Sequence, residues 1–476
     1  AVIWTGSTWQ NGSGSANRPA LADSTRKLFI NGSGANIQSD AIVSYAEIAS
    51  GADVTILSGN SLTVQNEIIN DGTVTVNNFG SLVQTHSGAN QNSGSGSYEV
   101  KKIGIVNPNY FNLWSSPIQS ADILNTFNGA NPCDVFVFDP ATQLYSHDYT
   151  QGFSTICNGN PVTFQSNQVI SGGDGIMDVA RGYYIPGKSG GTRTFTGDVN
   201  NGDYNISIQQ NPNPSTPQAN WTGDDWNLIG NPYPSSIDAA AFVNENSSVI
   251  SGSIYFWDDA QSGNFDDGDF AVWNTMGGTS SPNSATTPNG SIGSGQGFWV
   301  VANSNGSVNF TNAMRNSQNG QFFKNDPQSD PKAWLTLEDS AGLTNQILVG
   351  FPQDATDDYD DAYDAYKEEG NAHIAFGSVL DTLGYAIQGL APVVPGSEKV
   401  VDLYLRSERS GERTIRLDSA LAMDDHTIYL LDRKTGEEHD LSSGAFTFSE
   451  GYSIDDKSRF AIVFKRSQST GIKMAY

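Results

Sequence analysis

The sequence predicts an all-β chain: a short parallel β-solenoid, then duplicated β-sandwich halves of jelly-roll type, then a C-terminal β-sandwich. Three observations carry this. Short runs of alternating apolar and polar residues recur throughout, while apolar residues at helical spacing are scarce. Gly at 50 of 476 residues, with abundant Asn, Ser and Thr, supplies the turns such runs need. Blocks of sequence also recur in fixed order at fixed offsets, the mark of repeat architecture.

The first unit spans residues 1–97. Within it, IASGADVTILSGNSLTV (48–64) realigns on IINDGTVTVNNFGSLVQ (68–84) at an offset of 20, so Val54 falls on Val74, Ile56 on Val76 and Leu62 on Leu82. Apolar triplets between Gly, Asn and Asp corners at that period predict rungs that stack like on like. Residues 28–44 supply a further irregular rung, and SGANQNSGSGS (87–97) is a polar connector.

Residues 98–197 and 198–320 are the two halves. NYFNLWSSP (109–117) matches DDWNLIGNP (224–232), and ARGYYIPGKSGGTRTFTG (180–197) matches GQGFWVVANSNGSVNFTN (295–312), both at an offset of 115. Between them DVFVFDPAT (134–142) answers SIYFWDDAQ (253–261) at 119. The repeat is large enough for each copy to hold a core, as two sandwiches or as one built from both. Residues 321–332 read as a linker. From 333 to 466 the runs WLTL, QILVGF, VDLYLRS, TIRL, TIYLLD and FAIVF, with the turn DRKTG (432–436), make the last sandwich.

A net charge of −27 and a pI near 4.3 argue against nucleic acid as partner, because phosphates need Lys and Arg, and against anionic membrane surfaces. No apolar run approaches the ~20 residues of a membrane span. The acidity fits a soluble extracellular protein, whose signal peptide is expected to be missing from a chain that opens AVIWTG. In that compartment Cys133 and Cys157 are expected to pair, adding about 3 kcal/mol; two buried thiols are the alternative.

Residues 182–189 satisfy G-x-x-x-x-G-K-[ST] literally, yet Tyr-Tyr-Ile-Pro at their centre reads as a strand, with no helix to aim backbone amides at phosphate. Five scattered histidines make no zinc motif. No catalytic residue stands out. The loop DDAQSGNFDDGD offers Asp258, Asp259, Asp266, Asp267 and Asp269 as oxygen ligands for a structural calcium ion, the only cofactor expected; a solvated loop is the alternative. In DATDDYDDAYDAYKEE (354–369), Tyr359, Tyr363 and Tyr366 are spaced as on one face of a short helix, which predicts an acidic helical turn docked on a sandwich, with calcium again the alternative. Aromatic side chains crowd the second copy, and Trp273 beside the acidic loop and Tyr233 in the Pro turn are the expected exposed faces for ligand.

WNLIGNPYPSSID, GQGFWV, FTGDVNNGD, the acidic run, YAIQGL and KSRFAIVF resemble the large secreted surface proteins of Bacteroidetes that the type IX secretion system exports. The resemblance covers nearly the whole chain. It implies the export machinery of the outer membrane as partner, an extracellular or cell-surface location, and a C-terminal sorting domain toward which residues 467–476 lead. It also implies O-glycosylation at Asp-[Ser/Thr]-hydrophobic (or Thr) triplets, which fit Ser24, Ser340, Thr382 and Ser419. The expected function is non-catalytic adhesion, serving attachment or gliding, with surface or environmental glycans as ligands and no membrane insertion. A carbohydrate-binding accessory region of a larger polysaccharide-degrading enzyme and a purely structural stalk are the alternatives.

Overall fold

The computed structural model describes residues 1–108, 110–128, 135–147, 175–187, 191–212, 225–258, 269–282, 284, 286–317, 330–371 and 373–468. They are all-β, and a solenoid of about four turns leads the chain. By contacts the described residues divide into two compact units. The first takes those of 1–212, 225–250 and 291–317, and the second takes those of 251–290 and 330–468.

In the first unit the rungs form as the 20-residue offset predicts. Asp53–Ile56 lies parallel on Thr73–Val76, pairing Val54 with Val74 and Ile56 with Val76. Ser61–Val64 lies parallel on Ser81–Gln84, pairing Leu62 with Leu82. The irregular rung is present too: Ala35–Ile37 and Ala41–Val43 extend the same two columns. A third column runs Val2–Trp4, Lys27–Ile30, Tyr45–Ile48 and Ile68–Asn70, all parallel. The inward residues Val54, Ile56, Val74, Val76, Leu62 and Leu82 are all buried. Each such side chain contributes roughly 1.5–3 kcal/mol, so stacking drives the fold.

The duplication is equally visible. Phe111–Trp114 pairs antiparallel with Tyr183–Pro186, as Trp226–Gly230 does with Gly297–Val301. Ala121–Asp122 pairs with Ile176–Met177, as Ser236–Asp238 does with Ser291–Ile292. Each of those short strands ends in an aspartate that caps a helix: Asp122 accepts from Asn125 N at 2.9 Å and Asp238 from Ala241 N at 3.0 Å. Ser97–Ile103 pairs with Thr192–Gly197, as Tyr204–Ile208 does with Gly306–Phe310. In the first copy this outer pair extends the solenoid, because Ser97–Ile103 also lies parallel on Thr73–Val76.

The copies dock through matching surfaces. Arg181 bridges Ile229 and, 115 residues on, Gln296 bridges Trp114. Gly230 N donates to Ala180 O at 2.9 Å, and Ser115 N to Gly295 O at 2.8 Å. A Cβ on Gly182 would sit 2.5 Å from Leu228 Cγ, and one on Gly297 2.9 Å from the Leu113 backbone. Residue i meets j and the partner of j meets the partner of i, which is the self-complementary contact of a two-fold dimer made within one chain.

In the second unit the expected strands form one sheet of twelve. Its path runs 437–440, 426–432, 460–466, 398–407, 374–380, 383–389, 344–350, 332–338, 411–421 and 446–450, with 365–366 and 454–456 alongside. Among the described residues of this sheet, Thr344–Gly350 and Leu383–Gly389 run parallel and the other paired strands antiparallel. Phe448 on the last strand meets Phe460 near the other end, ring centroids 4.7 Å apart, so the sheet folds over one apolar core. Residues 254–258, 269–274 and 277–279 form an antiparallel ribbon in this unit.

Candidate functional site

The residues singled out for ligand do not present open faces. Tyr233 is 0 % exposed and Trp273 7 %. The Asn-Pro-Tyr-Pro turn is buried because Asn231 is a hub: its amide donates to Ser235 O, Ile292 O and Gly293 O at 2.9–3.0 Å, and its oxygen accepts from Tyr233 N. Tyr233 Oη donates to Gly202 O at 2.7 Å, and the Arg315 guanidinium lies 4.7 Å from its ring. Trp273 is covered by the backbone at Gly290, whose Cβ position lies 3.2 Å from the indole. Alternation told inward from outward on each strand, but not which strands have both faces covered.

Asp269 is also committed elsewhere. It is buried, and its carboxylate takes Lys367 Nζ at 3.2 Å, Asn371 Nδ2 at 2.7 Å and the amides of Phe270 and Gly370. Burial pushes its carboxyl up, and the Lys367 ammonium opposes the rise. Asp258 accepts from Ser281 Oγ at 2.7 Å. Asp259, Asp266 and Asp267 lie outside the described residues, as do Cys133 and Cys157. Among the described residues no group of three acids, histidines or cysteines is placed to hold a metal ion.

The acidic run 354–369 is not helical; it makes turns and the two-residue strand Ala365–Tyr366. Its carboxylates bind local amides instead. Asp360 accepts from Thr356 N at 2.6 Å, and Asp364 from Asp360 N and Gly389 N. Such side-chain bonds compete with helix. Tyr359 and Tyr366 stack at 5.3 Å, and Tyr366 lies 5.2 Å from Tyr385. Of the hydroxyls in glycosylation triplets, Ser340, Thr382 and Ser419 are exposed and Ser24 is half-buried. Thr382 sits at the tip of a tight hairpin between 374–380 and 383–389.

The open, chemically coherent surface is on the solenoid. Where successive rungs turn into the column 53–56, 73–76 and 97–103, a shallow groove of about 350 Å³ crosses them. Gly51, Ala52 and Asp53 line it from one rung, Asp71, Gly72 and Thr73 from the next, and Ser95, Gly96 and Ser97 from a third. Each aspartate uses one oxygen to hold a neighbouring corner. Asp53 Oδ2 accepts from Gly34 N at 2.8 Å, and Asp71 Oδ1 from Ser95 N at 3.0 Å. Asp53 Oδ1 and Asp71 Oδ2 have no protein donor among the described residues, which leaves one acceptor per corner for a ligand.

Beside the groove runs a ladder set by strand register. Asn36 pairs with Thr55, Thr55 with Thr75, Thr75 with Glu99 and Glu99 with Thr196. The first four are each flanked by buried neighbours and so face outward, and Thr196 is itself exposed. Parallel stacking spaces the first four by roughly 4.8 Å per rung, and Thr196 adds to them from an antiparallel strand. The offset of 20 that aligned Val54 with Val74 also aligned Thr55 with Thr75 and Asp53 with Thr73; that outward half of the pattern was the available signal for this face.

A buried polar cluster fastens the solenoid to the second copy. Arg315, 6 % exposed, donates to Ser235 Oγ, Asn201 Oδ1, Asn312 Oδ1 and Leu82 O at 2.6–3.1 Å. Burial brings it down to about 10. His86 Nε2 lies within 3.4 Å of the Asn201 and Asn312 amides, and burial lowers its pKa, with Arg315 adding to the effect.

The chain belongs to a family described as a domain of unknown function, DUF8693, whose model matches residues 3–464. Neither the curated proteins nor the solved structures give a match.

Proposed function

With membership of that family as the premise, we propose that the chain is a secreted, surface-displayed glycan-binding protein of adhesin type, exported by the type IX route its sequence resembles. Its binding face is the outer side of the solenoid. The single observation that carries this reading is the groove across three stacked corners, with a free carboxylate oxygen at Asp53 and at Asp71 and hydroxyls at Thr73, Ser95 and Ser97. Such acceptors and donors repeating along one axis suit a linear polyol chain whose hydroxyls repeat likewise. A bound chain makes several modest hydrogen bonds, each worth about 0.5–1.5 kcal/mol, so avidity along the chain supplies the affinity.

The test is retention of the intact protein on a panel of polysaccharides and on a glycan array, with and without EDTA. Retention is expected on at least one glycan, with a loss of about tenfold for Asp71→Asn combined with Thr73→Val, and an unchanged melting temperature, because Asn keeps the oxygen that accepts from Ser95 N. No retention on any glycan would leave a structural stalk as the better reading.

A further inference from the structure

Phe79 occupies a corner that backbone chemistry reserves for glycine. In the preceding rung the matching position is Gly59, at the same 20-residue offset, and Gly59 N donates to Phe79 O at 2.9 Å. Both corners are left-handed, with φ of +76° at Gly59 and +60° at Phe79. A Cβ on Gly59 would meet nothing within 4 Å, so packing does not dictate a side chain at this corner; the backbone favours glycine alone. A bulky residue there is strained. Nor does burial compensate, because Phe79 is 59 % exposed.

Two further exposed apolar residues follow the neighbouring strand Ser97–Ile103 or end it. Ile103 and Val106 are 62 % and 57 % exposed, and Asn78, beside Phe79, holds Ile103 N through its side-chain oxygen at 3.1 Å. Both apolar side chains border Gly191. These residues follow the C-terminal ends of Thr73–Val76 and Ser97–Ile103, whereas the groove lies at the N-terminal ends of the same strands. The carboxylates of the groove thus stand at one end of these strands, and exposed apolar residues, Phe79 and Ile103, at the other.

We infer that Phe79 is a stacking platform for the sugar chain bound on this face, and that the ligand class is an uncharged β-linked polysaccharide. This rests on the glycan-binding reading. A β-linked pyranose with equatorial hydroxyls presents its hydroxyls at the edge and a flat C–H surface on the ring, which matches a polar ladder continued by an aromatic face. The chain's net charge of −27 disfavours polyanionic glycans. Strain kept at an exposed position belongs with binding rather than with folding.

The experiment measures retention on microcrystalline cellulose and on chitin, with soluble starch and alginate as comparators. It uses the intact chain, Phe79→Gly, Phe79→Trp and Asp71→Asn, each with its melting temperature. Expected are retention of the intact chain on cellulose or chitin, about tenfold weaker retention for Phe79→Gly with an equal or higher melting temperature, and full retention for Phe79→Trp. If Phe79→Gly binds like the intact chain while Asp71→Asn loses binding, the platform is wrong and the groove stands. A lower melting temperature in Phe79→Gly would make the ring structural and overturn the inference. Preference for alginate or starch would overturn the ligand class, and no retention anywhere would remove the glycan reading itself.

Discussion

A buried cation is met in two ways: by neutral acceptors, at Arg315 and Arg193 of the first compact unit and at Arg413 of the second, and by a carboxylate, at Lys367 of the second. In the first unit, Arg315 and Arg193 have no carboxylate within ion-pair distance among the described residues. Arg315 shares its charge among carbonyl and amide oxygens, a hydroxyl and the Tyr233 ring. Arg193 donates to Gly191 O and Ile105 O and lies 5.8 Å from the rings of Trp114 and Phe127. In the second unit, Lys367 pairs with Asp269, and Arg459 with Asp432 and Glu450. A guanidinium with five fixed donors can join segments as distant as Leu82, Asn201 and Ser235 at one point. An ion pair joins two. At Arg315 the first device fixes the solenoid on the second copy; the second secures contacts within one unit.

That contrast is sharpest when one partner is removed. Lys367→Met strands the Asp269 carboxylate in the interior and is expected to cost about 3–5 kcal/mol in denaturant unfolding. Adding Asp269→Asn should recover most of that loss, since no buried charge remains and the amide oxygen still accepts from its neighbours. Arg315→Met leaves neutral acceptors unpaired and should cost less, roughly 2–3 kcal/mol, but no single second substitution should restore it. Equal recovery in both units would erase the distinction.

A second comparison lies between the copies. Because Gly182 and Gly297 face matching strands at 2.5–2.9 Å, Gly182→Ala and Gly297→Ala should each cost about 1–3 kcal/mol. A large effect at one position and none at the other would show that the two-fold contact is not energetically symmetric.

The smallest effects concern pH, and they run in opposite directions. His86 has a folded pKa below the ordinary 6.5, so the folded state binds fewer protons than the unfolded chain. Its contribution is full above pH 6.5 and is lost as pH falls through the folded value. Asp364 is raised from 3.8 to about 7, chiefly by burial, so there the folded state holds the extra proton and stability is lost as pH rises from about 4 to 7. Melting curves of His86→Gln should converge on those of the intact chain as pH falls from 7 to 5. Those of Asp364→Asn should gain on the intact chain as pH rises from 4 to 7. Parallel shifts at every pH would refute both assignments.

Much of the architecture is local in origin. A strand needs only alternation, a corner only Gly, Asn or Asp, and a rung only a copy of itself 20 residues away; Val54 on Val74 and Thr55 on Thr75 follow from the amino-acid order alone. The same order aligned Gly182 with Gly297 and Trp226 with Phe111. It did not reveal that Gly182 meets Leu228, that Tyr233 lies beneath Arg315, or that Asp269 faces a lysine 98 residues away. Nor did it keep the tyrosines of 354–369 on a helix. Burial and charge pairing depend on which distant segments arrive at the same place. Periodicity is written along the chain, whereas the covering of Trp273 and the openness of the Asp53–Asp71 corners were settled only when the rest of the chain had packed around them.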